Sequence, residues 1–477
     1  MRTDEFHDYI QKGLGRAILL LRAEIDKTPF FDAVWKHALN DMRYDSQCSG
    51  SRGHYIKELF ECFDNSEELF YELFRIYSTV GADSCYRDYY IDNLYSLAIE
   101  GVIGASDTLD TLYGVLFDKL ISSPNPLTNG LDRERDDYCD ASRLRFDLNK
   151  NIAESLIMDA LTLLERSPRF DMRDLKDLFI TLNDKNGIFN AAVEKVKNEN
   201  TKAKETLDEY ENYKRSKSNC LNIEKDIKPT NWREAIEIGA SNGNRTVCFK
   251  KHLWENLSNE DRIEIARLLE DKTDKKRRFE LLCNLNRCGQ EFLRNYPCDP
   301  GPLIAELEDK ADILFPVSAK TILHRWLSNV VSQIVHPAVR EFAIRNLPYY
   351  NQKTNSISHS IAFTAFLNNY HPEDEEYIYE LVASITDTDH LHAAGMDLLH
   401  ADAPISERVL IYLYENTPCS ICRCSFFNRL MVSYQKAHNT TLDSLPAHLA
   451  AIKEEAKHDC EQATRFSAHA NYIEKGK

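Results

Sequence analysis

The stretch LHRWLSNVVSQIVHPAVREFAIRNL, residues 323–347, decides the fold of this chain. Its first half carries apolar side chains at repeated spacings of three and four positions, which is typical of one face of an α-helix. These residues are Trp326, Leu327, Val330, Val331 and Ile334. The stretch therefore predicts an amphipathic helix that ends shortly before His336.

Pro337 predicts the start of a second helix. Proline is tolerated in a first helical turn because the N–H group that it lacks has no partner inside the helix. The following apolar residues share one face and are Val339, Phe342, Ala343 and Leu347. Two helices of this length cannot bury an apolar face alone, so the pair predicts further helix pairs stacked beside it.

Similar patterns along most of the chain predict an all-α fold. No stretch alternates as a strand does, and only 16 glycines and 15 prolines occur among 477 residues, which favours long helices over turn-rich sheets. In the N-terminal part we expect two helices in residues 6–40, one in 142–166 and one long helix from Phe189 to Tyr210. The polar residues 122–137 predict a loop.

Residues 216–250 predict the main connector, because they mix polar residues with a proline and two glycines. The expected division is an N-terminal helical-repeat-like segment of residues 1–215, the connector, and a C-terminal helical segment of residues 251–477. Whether the two segments form one superhelix stays open.

The composition indicates a folded, acidic protein. Hydrophobic residues make up 43% of the chain, which suffices for a buried core. With 59 basic and 76 acidic residues the net charge is −17, and a surface this acidic disfavours non-specific binding to nucleic acids and anionic membranes. No apolar run approaches the length of a membrane span. No charged-then-apolar leader follows Met1, so we expect no signal peptide. The thirteen cysteines are an odd, scattered set, which favours reduced thiols and a cytoplasmic location.

An internal repeat of basic and apolar residues runs through the predicted second helices. In each, a basic residue is followed seven positions later by leucine: Arg52 and Leu59, Arg340 and Leu347, His392 and Leu399, Arg423 and Leu430. Three positions before three of these anchors lies a residue suited to a helix N-cap, namely Ser49, Asp389 or Ser420. We expect Arg52, Arg340 and Arg423 to be structural and to pair with carboxylates or carbonyls of the neighbouring repeat.

The segment HPAVREFAIRNL resembles the second helix of HEAT-type repeats, in which a loop proline and a following Val-Arg are the most recognisable marks. TPCSICRCSFFNRL and DTDHLHAAGMDLL are weaker versions, and QCSGSR with HYIKEL is similar to helical-repeat proteins of bacterial genomes. The resemblance covers about residues 320–435, is weaker over 40–120 and does not extend to 185–250. It implies an α-solenoid of antiparallel helix pairs, a binding architecture without a shared active site, cofactor or metal.

A cysteine cluster raises the alternative of a zinc site. Cys419, Cys422 and Cys424 form C-x-x-C-x-C, and His458 or Cys460 could supply a fourth ligand. However, Cys48, Cys139 and Cys419 each lie four positions before an arginine, and so does Cys283, though in the middle of a predicted helix. A cysteine that recurs in this way is better explained as a small apolar plug at a helix entry.

Two further clusters keep other functions open. Three histidines and three aspartates crowd one predicted helix and its ends, which is the composition of a hydrolytic metal centre: His390, His392, His400, Asp389, Asp397 and Asp402. The run Lys272–Arg278 could contact phosphate groups, although acidic residues flank it. Phosphate-binding glycine loops and the common hydrolase and kinase motifs do not occur.

These observations favour a non-catalytic scaffold or adaptor that binds a partner macromolecule, most simply a protein, on one helical face. They identify no cofactor, no metal ion and no small-molecule substrate. The alternatives are a nucleic-acid-binding helical-repeat protein and a metal-dependent hydrolase.

Overall fold

The computed structural model describes residues 3–45, 51–122, 133–183, 185–221, 229–241, 251–255, 257–308, 319–351, 357–401 and 404–470. Throughout these residues the chain is helical, and they contain no strand, so the all-α prediction is confirmed. No helix among them is both long enough and apolar enough to cross a membrane.

The helices of the first half are α1 (Thr3–Lys12), α2 (Gly15–Ala23), α3 (Phe31–Leu39), α4 (Gly53–Phe60), α5 (Ser66–Val80), α6 (Arg87–Ile99), α7 (Ala105–Ser122), α8 (Arg133–Leu148), α9 (Ala153–Arg166), α10 (Met172–Leu182), α11 (Ile188–Glu199) and α12 (Thr201–Leu221). Those of the second half are α13 (Trp232–Ser241), α14 (Asn259–Glu270), α15 (Lys275–Cys288), α16 (Gln290–Arg294), α17 (Gly301–Glu308), α18 (Ala319–Ser332), α19 (Pro337–Asn346), α20 (Ile357–Asn368), α21 (Glu375–Ala383), α22 (Thr388–His400), α23 (Glu407–Asn416), α24 (Ser420–His438), α25 (Ala447–Ala456) and α26 (Gln462–His469).

The helices form two compact units. Unit 1 comprises residues 1–225, 418–424 and 431–477, and unit 2 comprises residues 226–417 and 425–430. The chain passes from unit 1 to unit 2 inside the stretch 216–250 that the sequence marks as a connector, and its C-terminal residues belong to unit 1.

The opening stretch forms the helix pair α18 and α19. His336 precedes Pro337 in extended conformation, and its ring Nδ1 accepts a hydrogen bond from the N–H of Ala338 at 3.1 Å. The predicted apolar faces are buried, except that Trp326 is half-buried. Ala343 is fully buried, as a small residue must be where helices approach closely.

Unit 2 has two rows of helices. In one row α13 contacts α15, α15 contacts α18, α18 contacts α20 and α20 contacts α22. In the other, α14 contacts α17 and α17 contacts α19, while α21 contacts α23. Contacts such as α19 with α20 join the rows. Residues of the first row that point away from the second therefore share one surface.

Unit 1 is built from the N-terminal helices together with C-terminal residues. α25 packs on α2, the N–H of Cys460 donates to the Gly13 carbonyl at 2.9 Å, and Arg16 pairs with Glu455 at 2.9 Å. Gly13 has a φ of +73°, and a Cβ there would lie 1.7 Å from Nη1 of Arg52. Only glycine fits both this backbone and this close approach.

Asparagine residues break two of the predicted helices. Asn200 is extended, with φ −133° and ψ 108°, and its Oδ1 accepts from the N–H of Ala203 at 3.0 Å. The long helix over 189–210 is therefore wrong, because Asn200 caps a new helix there. Asn149 likewise accepts from the N–H of Asn151 at 3.1 Å and separates α8 from α9, so the single helix over 142–166 is also wrong.

Other boundaries differ from the sequence prediction as well. Residues 6–40 lie in three helices rather than two, because the left-handed backbone at Gly13 ends the first one early. α8 begins at Arg133, inside the expected loop at 122–137, whose residues 123–132 lie outside the described part of the chain.

Two of the predicted N-caps are wrong by one or two positions. Asp387, and not Asp389, caps α22 and accepts from the N–H of His390 at 3.1 Å. Cys419 holds the N-cap position of α24, and Ser420 is its first helical residue. Ser49 lies outside the described residues.

Candidate binding cleft in the second unit

A polar cleft of about 600 Å³ opens on the first row of unit 2. Mainly carboxamide, hydroxyl and carboxylate side chains from α15, α18, α20 and α22, and from the turn after α18, line it, and α16 adds Gln290 and Arg294. The residues that matter here are Asn286, Asn329, Gln333, Thr364, Asn368 and Asp397. Four helices that contact each other in sequence thus contribute hydrogen-bonding groups to one surface.

Helical spacing explains why these side chains converge. Asn329 and Gln333 are four positions apart, as are Thr364 and Asn368, so each pair lies on one face. The opposite faces of the same helices carry core residues such as Val331 and Phe366, which are 0 and 1% exposed. Burial of the apolar face therefore turns the amides toward the cleft.

Hydrogen bonds hold the amides in place. Nε2 of Gln333 donates to Oδ1 of Asn286 and to the carbonyl of Asn329, both at 3.0 Å. Nδ2 of Asn368 donates to the carbonyl of Ser332 at 2.9 Å. Because Gln333 uses both of its N–H hydrogens, its carbonyl oxygen is left to accept from a ligand.

Asp397 places a carboxylate in the same cleft. Its Oδ2 accepts a hydrogen bond from the Thr364 hydroxyl at 2.9 Å. Burial raises its pKa from 3.8 to about 6, against the smaller opposing effects of Thr364 and of His400, which also lines the cleft. Asp397 is therefore an acid whose charge changes near neutral pH.

The predicted anchor Arg340 forms a two-pronged ion pair with Asp374. Nη1 and Nη2 each lie 2.8 Å from one carboxylate oxygen, and Nη1 also donates to the Asn369 carbonyl at 2.8 Å. Burial alone would raise the pKa of Asp374, but Arg340 and the N–H of His371 outweigh it and lower that pKa. Leu347 is fully buried.

Arg423 and Arg52 are fully buried in unit 1. Nη2 of Arg423 lies 3.1 Å from both carboxylate oxygens of Asp459. Arg52 donates from Nη2 to the Gln11 carbonyl at 3.4 Å, while its Nε and Nη1 lack a hydrogen-bond partner among the described residues. Arg52 thus differs from the other two anchors in having no carboxylate partner. Leu59 and Leu430 are buried in their respective units.

The cysteines of the predicted cluster are buried, and no cysteine among the described residues forms a disulfide. There are two candidates for a fourth zinc ligand. Sγ of Cys460 lies 3.5 Å from Nη2 of Arg423, and Nδ1 of His458 is hydrogen-bonded to Oε2 of Glu58 at 2.6 Å. These contacts do not favour a zinc site that uses either residue.

The proposed cysteine plugs occupy different positions. Cys139 lies inside α8 rather than at a helix entry. Cys283 lies inside α15, in agreement with the mid-helix position predicted for it. Burial raises the pKa of each thiol to about 12, so both remain neutral thiols near pH 7. Cys48 lies outside the described residues.

His390, Asp397 and His400 of the histidine-rich helix do not come together as one group of metal ligands. The His390 ring packs on Tyr350 with 4.5 Å between ring centroids. Asp397 and His400 both line the cleft, but among the described residues no third histidine, cysteine or carboxylate lies close enough to share a metal ion with them. Asp402 lies outside the described residues.

Three of the five cations of the basic run at Lys272–Arg278 are ion-paired within unit 2. Arg278 is buried and pairs with Glu306 through both Nη atoms at 3.1 and 2.9 Å, and Lys272 joins Glu306 at 3.2 Å. Arg277 pairs with Glu237 at 2.8 Å. Lys275 and Lys276 are exposed and form no ion pair among the described residues, so only these two lysines of the run are left for phosphate groups.

The cleft amides were not identified from the sequence. Each is an isolated asparagine or glutamine on an amphipathic helix, where such residues usually face solvent. The one available signal is that α15, α18 and α20 each place an amide or hydroxyl opposite the apolar face. Comparisons of this chain with protein-family models, with curated proteins and with solved structures find no match.

Proposed function

We propose that this chain is a non-catalytic, HEAT-like α-solenoid that binds a partner protein, and that the polar cleft of unit 2 holds an extended segment of that partner. The observation that carries the proposal is the row of amides and hydroxyls across α15, α18 and α20, which contact each other in that order and continue to the carboxylate of Asp397 on α22. The two rows of contacting helices in unit 2 support the solenoid arrangement of helix pairs.

The chemistry of the amide row matches a polypeptide main chain. An extended segment offers alternating N–H and C=O groups along its length. A carboxamide has both donor and acceptor atoms. Gln333 offers its carbonyl oxygen to a main-chain N–H group, and the other amides of the row can pair with main-chain groups whatever side chain the segment carries. Hydrogen bonds from Gln333 and Asn368 to neighbouring residues hold these amides in place before a ligand binds. Less conformational entropy is therefore lost on binding.

The same features argue against the other two functions. A nucleic acid needs cationic partners for its phosphates, whereas the cleft is mainly neutral and is lined by Asp397 as well as Arg294. Three of the five cations of the basic run are ion-paired within unit 2. A hydrolytic metal centre needs a third ligand beside Asp397 and His400.

The test is a selection of peptides from a display library on the full-length protein, followed by affinity measurements with synthetic versions of the selected peptides. The double variant Gln333→Ala with Asn368→Ala removes two amides of the row. We expect it to weaken the peptides by about tenfold or more, because each lost hydrogen bond in a partly buried site costs about 1 kcal/mol.

The matched control is Glu341→Gln on α19, an exposed residue of the other row, which should leave affinity unchanged. Thermal unfolding of both variants checks that the helices remain folded. Peptides that bind the double variant as tightly as the unmodified protein place the binding surface elsewhere. A protein that selects no peptide, but retains an RNA or DNA oligonucleotide at low salt, overturns the proposal.

A further inference from the structure

One end of the cleft has a chemistry that the amide row does not explain. There Asp397 projects from α22, half-buried, and the Thr364 hydroxyl from α20 is its hydrogen-bond partner at 2.9 Å. His400, one turn further along α22, lines the same wall and is exposed. Asp397 is thus the one carboxylate in the lining of the cleft, among mainly neutral groups.

The charged and titratable groups around Asp397 can be named element by element. α22 contributes His400, and the segment after α19 contributes the Tyr350 phenol, whose own pKa is raised by burial and by Asp397. α16 contributes Arg294 to the cleft. α18 and α20 present only neutral side chains to the cleft. Within the described chain, no lysine or arginine is ion-paired with Asp397.

This arrangement leaves the carboxylate without compensation. Burial disfavours its ionised form, and one hydroxyl together with a nearby imidazole does not restore it. The carboxylates of unit 2 that have structural roles differ, since Asp374 is paired with Arg340 and Glu306 with Arg278. Asp397 also accepts a hydrogen bond from a neighbouring side chain. Among the described residues, however, it has no ion-paired lysine or arginine.

We propose that the Asp397 end of the cleft receives the ammonium or guanidinium group of a lysine or arginine side chain from the bound partner segment. This subsite rests on the proposed function, because the amide row holds the main chain that delivers the side chain. A cation there forms the charge-assisted bond that Asp397 lacks within the chain. The net charge of −17 draws basic partners toward the protein and repels acidic ones.

A positional-scanning peptide library tests the subsite, with the full-length protein immobilised and one library position fixed as each amino acid in turn. We expect Lys and Arg to be enriched at one position on the unmodified protein. Asp397→Asn keeps an oxygen for the Thr364 hydrogen bond and removes the charge. Asp397→Asn should abolish this enrichment and lower the affinity for a selected lysine peptide by about tenfold. The affinity for the same peptide with norleucine in place of the lysine should not change.

The pH dependence gives a second readout. Lysine-peptide affinity should fall as the pH is lowered from about 8 to about 5, because Asp397 takes up a proton. A charged His400 would also repel the peptide, so Asp397→Asn, which retains His400, serves as the reference. The affinity of this variant for the lysine peptide is weaker and should change less over the same pH range. Glu341→Gln, with the same loss of charge on the other row, should behave like the unmodified protein.

The outcomes separate the two proposals. Peptides that depend on Gln333 and Asn368 but show no basic preference, or keep it in Asp397→Asn, refute the subsite and leave the proposed function standing. Enrichment of acidic residues at that position refutes the subsite as well. A library from which nothing binds, at any fixed position, refutes both.

Discussion

Replacement of Asp397 by asparagine should stabilise unit 2 at neutral and alkaline pH. The pKa of Asp397 is raised from 3.8 to about 6 by burial. For a carboxyl whose pKa is higher in the folded state, the stabilising contribution is present below pH 3.8 and is lost as the pH rises through 6. Each pKa unit corresponds to about 1.4 kcal/mol, so ionisation costs about 3 kcal/mol at most. Water reaches one side of the cleft, and we therefore expect a gain of about 1–3 kcal/mol.

Urea unfolding followed by tryptophan fluorescence measures this gain. Three of the four tryptophans, Trp232, Trp254 and Trp326, belong to unit 2, so the signal reports mainly on that unit. The midpoint of Asp397→Asn should exceed that of the unmodified protein by up to about 1 M urea at pH 8. At pH 4 the two midpoints should nearly coincide, and Glu341→Gln should show no such divergence. An equal gain at both pH values would refute the electrostatic reasoning, because it would mean that the amide stabilises by packing alone.

Three other substitutions test the contacts that hold the helices together. Arg340→Ala should lower the free energy of unfolding by about 3 kcal/mol, because it leaves Asp374 buried without its cation; Arg340→Lys should recover only part of this, and an unchanged Tm with lost peptide binding would instead make Arg340 a binding residue. Glu306→Gln should lower the free energy of unfolding by about 3 kcal/mol at pH 7, since Arg278 holds the pKa of Glu306 at about 2 despite burial. This stabilisation is lost as the pH falls from 4.5 to 2, so the urea midpoints of the two proteins should converge over that range. Midpoints that stay equally far apart would contradict the assignment. Asn200→Ala should cost about 1 kcal/mol by removing a helix cap, whereas Asn200→Asp, which can still cap, should be nearly neutral in the same thermal unfolding assay.

The all-α class and most helices of the second half were predictable from the sequence because the 3.6-residue period is strong there. The pair α18 and α19 was read from five apolar positions and one proline. The errors cluster at Asn149 and Asn200, where a single side chain outweighs the pattern on both sides. Helical periodicity continues through a one-residue break, and only the capping hydrogen bond of the asparagine reveals that the axis ends.

The cleft could not be predicted in the same way. An amide at position 333 and another at position 368 share no spacing that marks them, because their proximity depends on how α18 and α20 pack. The histidine-rich helix did draw attention to Asp397, but as one ligand among six candidates. Its meaning depends on its neighbours in space, namely a threonine 33 positions earlier and the lack of an ion-paired lysine or arginine among the described residues.

Two aspartates of unit 2 show how structural and binding carboxylates can be told apart. Asp374 is buried and forms a bidentate ion pair with Arg340. Its pKa is lowered, so its ionisation favours folding. Asp397 has a raised pKa, so its ionisation opposes folding. Random substitution readily removes a group that costs stability and serves nothing, because asparagine at that position would fold better. The ionised Asp397 lowers the stability of the fold and lies in an open cleft. Its presence is therefore best explained by a cation that binds there from outside the chain.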